Sequence, residues 1–158
     1  MAIENRTEWE ALPEVYVRLQ KDELGYPPKN WEQLKGEELE EGTFRLKSIP
    51  FYARGLAWED EVTTHTSPEG YSPVVAQVVR RSGYSTMRLS LKPNENREEL
   101  VRYFNDRGVF LEFLDNLVAL AIPRAAFDEV SDYVCDEKDK GRWDAEDGYL
   151  VIDEVPLQ

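Results

Sequence analysis

The sequence predicts an α+β protein in which an N-terminal antiparallel β-barrel-like unit, residues 1–85, packs on a C-terminal ferredoxin-like unit, residues 86–158. Short runs of alternating polarity separated by Gly and Pro turns predict the first unit. The order strand, helix, strand, strand, helix, strand predicts the second, whose βαββαβ pattern places both helices on one face of a four-stranded sheet. Because the junction near residues 82–86 is too short for a flexible linker, we expect the two units to pack together.

The N-terminal unit begins with the strand EVYVRL at residues 14–19, in which Val15, Val17 and Leu19 share one face. Gly25, Pro27 and Pro28 then interrupt regular structure. The strands expected after this break are WEQLKGEEL, TFRLKSIPF, DEVTTHT and YSPVVAQVVRR. Turn residues between these runs favour a small barrel or a strongly bent sheet.

The C-terminal unit begins with the strand MRLSLK, which is followed by the helix NREELVRYFNDRG. Asn96 and Glu99 have the spacing of a capping box, and Gly108 stands where a left-handed C-terminal cap is needed. The apolar side chains expected on the inner face of this helix are Leu100, Val101 and Phe104. The spacing therefore predicts one helix with both ends defined by local residues.

Two apolar runs, VFLEFL and LVALAIP, follow and are joined by Asp115 and Asn116, which tolerate tight-turn geometry. A second helix is predicted from Arg124 to Gly141. Its apolar residues at helical spacing are Phe127, Val130 and Val134. The segment GRWDAEDGYLVID then returns to a strand or short hairpin, which completes the βαββαβ order.

The chain is strongly acidic, with 32 acidic and 19 basic residues and a formal net charge of -13. Such a surface repels phosphate backbones, so the composition disfavours binding to nucleic acids and to anionic membranes. A basic protein partner is favoured for the same reason. The alternative is that the charge serves solubility alone.

Cysteine and histidine are scarce, since Cys135 and His65 are the sole residues of their types. This excludes an internal disulfide and disfavours zinc ligation, while no calcium-loop spacing is present. The start of the sequence lacks the basic and apolar blocks of a secretory signal, and no apolar run is long enough to cross a bilayer. We expect a cytoplasmic protein without a metal or cofactor.

The segment RRSGYSTMR, residues 80–88, combines three arginines with hydroxyl side chains and a glycine, which are the components of an anion site. Arg80 and Arg81 point to opposite faces of a regular strand, so the arginines converge only if the strand is bulged. The candidate anion-binding residues are Ser82, Gly83, Ser85, Thr86 and Arg88. The alternative is a structural turn whose arginines pair with neighbouring carboxylates.

A second candidate site is acidic and lies near the C-terminus. We expect its residues to gather at one end of the ferredoxin-like unit and to contact a basic partner. They are Asp136, Glu137, Asp139, Asp144, Glu146 and Asp147. Trp143 is the expected aromatic anchor of this surface. The alternative is that these carboxylates form a solvated face without a partner.

Three stretches of the chain resemble a bacterial family, the domain-of-unknown-function 4265 family. They are SIPFYARGLAWEDEV at 48–62, VVRRSGYSTMRL at 78–89 and GRWDAEDGYL at 141–150. The matches in the middle stretch are Ser82, Gly83, Ser85, Thr86 and Arg88. The resemblance also implies a histidine in place of Tyr84 and a glycine in place of Glu59, so any histidine chemistry of the family is not expected here. It implies no established activity.

These observations favour a partner-binding protein over an enzyme. The chain is small and acidic, and it lacks a recognisable set of acid, base and nucleophile. These features indicate a module that binds a basic protein. The most specific form of this hypothesis is an immunity protein that neutralises a toxin domain. The alternative is a regulatory protein that binds a nucleotide or another anion in the groove near Arg88. No catalytic residue is predicted, and the sequence does not indicate an oligomeric state.

Overall fold

Two antiparallel β-sheets and two α-helices form an α+β structure. The computed structural model describes residues 11–151. The strands of the first sheet are β1 (Glu14–Arg18), β2 (Trp31–Glu40), β3 (Thr43–Leu46), β4 (Glu61–His65) and β5 (Val74–Arg80). The strands of the second sheet are β6 (Ser85–Leu91), β7 (Phe110–Leu114), β8 (Leu117–Ile122) and β9 (Trp143–Tyr149).

In the first sheet, strands that are consecutive in the sequence are neighbours, and each is antiparallel to the next. In addition, Tyr16 of β1 pairs in parallel with Val74 of β5, so the strand order closes on itself. The side chains packed inside this ring are Val15, Leu19, Leu34, Phe44, Leu46, Ala53, Leu56 and Val62. Each strand predicted in this half is present, because alternating polarity marks strands that bury one face, but TFRLKSIPF is a strand only over Thr43–Leu46 and its remaining residues belong to the connection to β4.

Both predicted helices are present, as α1 (Arg97–Asn105) and α2 (Phe127–Asp139). The side chain of Asn96 accepts a hydrogen bond from the backbone N–H of Glu99 at 3.1 Å, which confirms the predicted N-terminal cap. The second helix begins later than predicted, because residues Arg124–Ala126 form a 3₁₀ turn. Neither helix within residues 11–151 is long and apolar enough to cross a bilayer.

The strand order of the second sheet is β7-β8-β6-β9. Different parts of the chain pack on its two faces. Successive residues of a strand point to opposite faces. On β8, Leu120 and Ile122 pack in the core that includes both helices, whereas Ala119 and Ala121 pack against Ile49 of the first half. The sheet therefore lies between the helices and the segment 47–60, which connects β3 to β4.

Candidate functional site

Arg88 of β6 lies on the sheet face that meets segment 47–60, and only 3% of its surface is exposed. Its Nη1 donates to the backbone oxygens of Pro50 at 3.1 Å and Ala53 at 2.8 Å. Its Nη2 donates to the oxygen of Tyr52 at 3.3 Å and to Oε1 of Glu146 at 2.7 Å. The guanidinium therefore ties this segment to the sheet, and Glu146 supplies the anion that balances its charge.

Ser85 and Thr86 are fully buried and also make contacts within the chain. The Thr86 hydroxyl donates to the backbone oxygen of Leu56 at 2.8 Å. The Ser85 hydroxyl accepts a hydrogen bond from the backbone N–H of Val151 at 3.0 Å. Gly83, which precedes them, has a φ of +94°, a conformation that favours glycine and makes the turn from β5 to β6.

Ser82 and Asp60 connect the same turn to the start of β4. The backbone N–H of Ser82 donates to Oδ1 of Asp60 at 2.9 Å, and its hydroxyl donates to the oxygen of Trp58 at 2.7 Å. Nη1 of Arg81 and the N–H of Ala57 both donate to Oδ2 of Asp60. Burial nevertheless raises the pKa of Asp60, because these donors offset only part of the loss of water.

The structure does not bring the five predicted anion-binding residues to one cavity. Ser82 lines a charged cavity beside β4 and β5, whereas Arg88 lines a smaller one of about 150 Å³ beside β9. The bulge in this region lies on β9, at Gly148, so the side chains of β6 keep their regular alternation. Segment 80–88 consequently joins the two halves through several separate contacts.

The charged cavity near Ser82 has a volume of about 550 Å³. Its lining residues are Arg45, Trp58, Glu59, Glu61, Arg80, Arg81, Ser82 and Tyr84. Arg45 pairs with Glu61 at 3.5 Å and with Glu37 at 3.2 Å. The side chain of Arg80 is 78% exposed and approaches Glu61 only to 3.8 Å. Arg80 is therefore the arginine of this cavity with the weakest contacts inside the chain.

Glu59, at the rim of this cavity, has a φ of +72°. This left-handed backbone conformation favours glycine, which explains why the family resemblance implies glycine at this position. The carboxylate of Glu59 pairs with Lys47 and lies 3.8 Å from Nε of Arg45. Because this chain has Glu59 in place of glycine, the cavity lined by three arginines also contains this carboxylate.

The predicted acidic residues are divided between two places. Asp144 and Glu146 lie beside Arg88, on the sheet face away from the helices, and line the small cavity there. Glu137 lies at the end of α2, where it accepts hydrogen bonds from Arg142 at 2.8 Å and pairs with Lys140 at 3.2 Å. These two basic side chains lower the pKa of Glu137. Asp136, Asp139 and Asp147 are exposed.

Trp143 is not a surface anchor, because only 1% of it is exposed. Its ring packs in the core beneath the helices, and its Nε1 donates to the backbone oxygen of Val134 at 3.1 Å. The prediction of a partner-binding Trp143 is therefore wrong. Strand alternation is the physical reason, since it turns Trp143 and Asp144 to opposite faces of β9.

The outer face of α2 carries acidic residues that the sequence analysis did not combine. Four exposed aspartates at helical spacing form what we call the aspartate row: Asp128, Asp132, Asp136 and Asp139. Within residues 11–151, no basic side chain forms an ion pair with any of them. The spacings of four, four and three residues between the aspartates of FDEVSDYVCDEKD are the sequence signal that identifies this row.

Two half-buried tyrosines lie on the two-helix layer among further carboxylates. The rings of Tyr103 on α1 and Tyr133 on α2 stack with centroids 3.7 Å apart and planes inclined by 16°. Burial raises the pKa of both tyrosines, although Arg107 opposes this rise at Tyr103 and Arg142 opposes it at Tyr133. The guanidinium of Arg107 lies 3.7 Å from the ring centroid of Tyr103, and Nη1 of Arg142 donates to the Tyr133 hydroxyl at 2.6 Å. The helices therefore present an aromatic pair that contacts two arginines.

Residues 11–151 contain no group of three or more His, Cys, Asp or Glu side chains arranged to hold a metal ion. His65, at the end of β4, is exposed, as the polar run around it predicts. The free Cys135 is exposed on α2.

The three family-like stretches of the sequence meet where Arg88 binds segment 47–60 and Glu146. No curated protein matches the chain. A crystal structure titled as a hypothetical protein from Neisseria gonorrhoeae aligns with a TM-score of 0.75 over 88% of this chain and 95% of that chain, at 15% identity. At this identity the likeness shows the fold alone. Residues 32–145, most of the chain, match the family described as Domain of unknown function (DUF4265), and the protein therefore belongs to this family.

Proposed function

We propose that the protein binds a basic protein partner through the outer face of α2, and that it acts inside the cell as an immunity protein that neutralises a toxin domain. The observation that carries this proposal is the aspartate row, which is exposed and has no ion pair within residues 11–151. Its charges are therefore available to a partner. The overall net charge of -13 also favours a positively charged partner.

The aspartate row is unfavourable for the isolated helix. Like charges four residues apart destabilise a helix by about 0.2–0.5 kcal/mol for each pair. Asp128, Asp132 and Asp136 form two such pairs, which a basic partner would convert into attraction. Complementary charge across an interface also accelerates association, and this acceleration falls as salt increases.

The stacked and half-buried rings of Tyr103 and Tyr133 lie near the acidic residues, with the guanidinium of Arg107 over the Tyr103 ring. Tyrosine is enriched in interfaces because it combines a large apolar ring with a hydroxyl. These tyrosines take the anchoring role that the sequence analysis gave to Trp143. Asp136 and Asp139 keep the role predicted for them, whereas Glu137, paired to Arg142, positions the end of the helix.

The experiment uses the products of the coding sequences that neighbour this gene as candidate partners. Each is expressed with the chain, and complexes are measured by surface plasmon resonance at low and high salt. We expect a tight complex whose association rate falls as salt increases. Co-expression with the chain is expected to restore growth to cells in which the partner alone is toxic.

Two doubly substituted variants with equal charge changes separate the aspartate row from general acidity. The variant Asp132→Lys with Asp136→Lys reverses the charge of two residues in the row. The variant Glu38→Lys with Glu40→Lys reverses the charge of two exposed glutamates on β2. We expect the first variant to slow association by about tenfold or more and the second to change it far less. Equal effects of both variants, or association that ignores salt, would contradict the proposed surface.

A second candidate function is the binding of an anion, such as a nucleotide, in the charged cavity near Ser82. Three arginines and a serine line this cavity, and the exposed Arg80 supports an interaction with an external anion. Thermal shift with inorganic phosphate and nucleotides is the test. We expect Arg80→Ala to abolish the shift and Arg54→Ala, an exposed arginine outside the cavity, to retain it. No shift with any anion would exclude this function.

We also propose finer assignments for the two halves. The βαββαβ order from β6 to β9 and the strand order β7-β8-β6-β9 support a ferredoxin-like unit for residues 86–158. The pairing of β1 with both β2 and β5 supports a β-barrel for residues 1–85. Expression of residues 86–158 alone tests the division, because a folded fragment with a cooperative thermal transition is expected only if this half is a separate domain.

A further inference from the structure

An aromatic cleft lies where the first sheet meets the hairpin of β7 and β8. Its volume is about 370 Å³. Five aromatic side chains line it, together with one residue of the hairpin: Tyr16, Trp31, Phe51, Tyr52, Tyr71 and Leu114. Its polar lining residues are Lys29, Glu32 and Gln33. The cleft is on the side of the second sheet opposite the helices, so its properties are independent of the aspartate row.

Three aromatic rings of the cleft, those of Tyr16, Trp31 and Tyr71, form a connected cluster. The centroids of Trp31 and Tyr71 are 4.4 Å apart with planes inclined by 32°, and Tyr16 lies 5.2 Å from Tyr71. The faces of aromatic rings carry partial negative charge and attract cations placed over them. Tyr71 is 39% exposed, so a ligand can reach the cluster from solvent.

Glu32 is a buried carboxylate in the lining of this cleft, with 7% of its surface exposed. Its oxygens accept backbone hydrogen bonds from Phe51 at 2.7 Å, Tyr52 at 3.1 Å and Ala53 at 2.8 Å. No basic side chain within residues 11–151 forms an ion pair with Glu32. Backbone N–H groups solvate its negative charge, and Lys29 adds one positive charge to the same lining, so the attraction of this cleft for a cation comes from the ring faces and not from a net charge.

We propose that this cleft binds an organic cation, a guanidinium or alkylammonium group, against the faces of its aromatic rings. The chain already places cations against these rings. Nζ of Lys29 lies 5.8 Å from the ring centroid of Tyr52, and the guanidinium of Arg18 lies 4.4 Å from that of Trp31. Lys29 is exposed and lines the cleft, so it competes with an incoming cation and sets a limit on affinity.

The test is isothermal titration calorimetry of the full chain with n-butylguanidine, which carries one guanidinium group, and with n-butylurea, a neutral compound of the same shape. We expect n-butylguanidine to bind at least about tenfold more tightly than n-butylurea, because only n-butylguanidine carries the charge that the ring faces attract. A second titration with the tripeptide Gly-Arg-Gly distinguishes the source of the cation. Binding of the tripeptide without n-butylguanidine assigns the cleft to a protein side chain, and binding of n-butylguanidine assigns it to a small molecule.

Two variants in the cleft and one control make the proposal falsifiable without disturbing the Glu32 hydrogen bonds. Lys29→Gln removes the competing charge and is expected to tighten n-butylguanidine binding several-fold, while the control Lys138→Gln, an exposed lysine on α2, leaves it unchanged. Tyr71→Ala is expected to weaken it about tenfold. Absence of binding by both cationic compounds, equal binding of n-butylurea, or weaker binding after Lys29→Gln overturns the proposal.

Discussion

Nη2 of Arg88 donates to Oε1 of Glu146 at 2.7 Å, and this ion pair joins β6 to β9 at the point where segment 47–60 crosses the sheet. Nε of Arg88 donates to the same oxygen at 3.2 Å, and Nη1 and Nη2 also bind backbone oxygens of that segment. One side chain therefore holds three parts of the chain together. A junction of this kind depends on the guanidinium geometry, which lysine lacks.

Arg88→Met is expected to destabilise the protein by about 3 kcal/mol, because removing one partner of a buried ion pair leaves the other without compensation. The value lies at the lower end of the usual range, since the Glu146 side chain is 29% exposed and can regain water. Urea unfolding measures the change. The control Arg54→Ala removes a 70% exposed arginine 4.0 Å from the same carboxylate and is expected to cost less than about 0.5 kcal/mol. Equal losses would contradict the role of Arg88.

The contacts of Arg88 illustrate what the sequence can and cannot predict. Alternation along MRLSLK places Arg88 opposite the helix-facing side chains, so its face of the sheet is predictable. Its partner is not, because Glu146 is 58 residues away and periodicity does not identify which strand lies alongside. Local signals, such as the Asn96 cap, are confirmed because both partners lie within one helical turn.

Asp60 is expected to make stability depend on pH. Burial raises its pKa in the folded protein, so between its unfolded and folded pKa values the folded state binds more protons than the unfolded state. Its contribution to stability is therefore largest at low pH and falls as the pH rises through this window. The free energy of unfolding of the wild type minus that of Asp60→Asn is expected to decrease from about pH 4 upward. Urea unfolding across a pH series measures it, and an increase with pH would contradict the assignment.

Gly148 allows β9 to approach β6 closely at the bulge. A Cβ atom at this position would lie 2.9 Å from Cγ2 of Thr86 and 3.0 Å from Nη1 of Arg88. Gly148→Ala is therefore expected to cost about 1–3 kcal/mol through overpacking. Thermal unfolding measures the loss. Thr86→Ser in the same chain removes the nearest methyl group and keeps the hydroxyl bonded to Leu56, so the double variant is expected to lose less than the two single variants together.

The candidate surfaces show a second limit of sequence reasoning. Composition identified the acidic C-terminal half, but proximity in sequence grouped Glu146 and Trp143 with the residues of α2. In the structure Glu146 balances Arg88, and Trp143 is buried. Helical periodicity, applied to the charged residues as well as to the apolar ones, predicts the aspartate row.

Asp132→Lys is expected to stabilise the protein and to weaken its binding to a basic partner. The change replaces two repulsive pairs, with Asp128 and Asp136, by two attractive ones, each worth about 0.2–0.5 kcal/mol. Lysine also has a higher helix propensity than aspartate. We therefore expect about 1 kcal/mol of added stability in urea unfolding, with a smaller gain at high salt because the pairs are exposed. If the variant is more stable but associates as fast as the wild type, the row does not contact the partner. If the variant is less stable, Asp132 makes a favourable interaction in the folded protein.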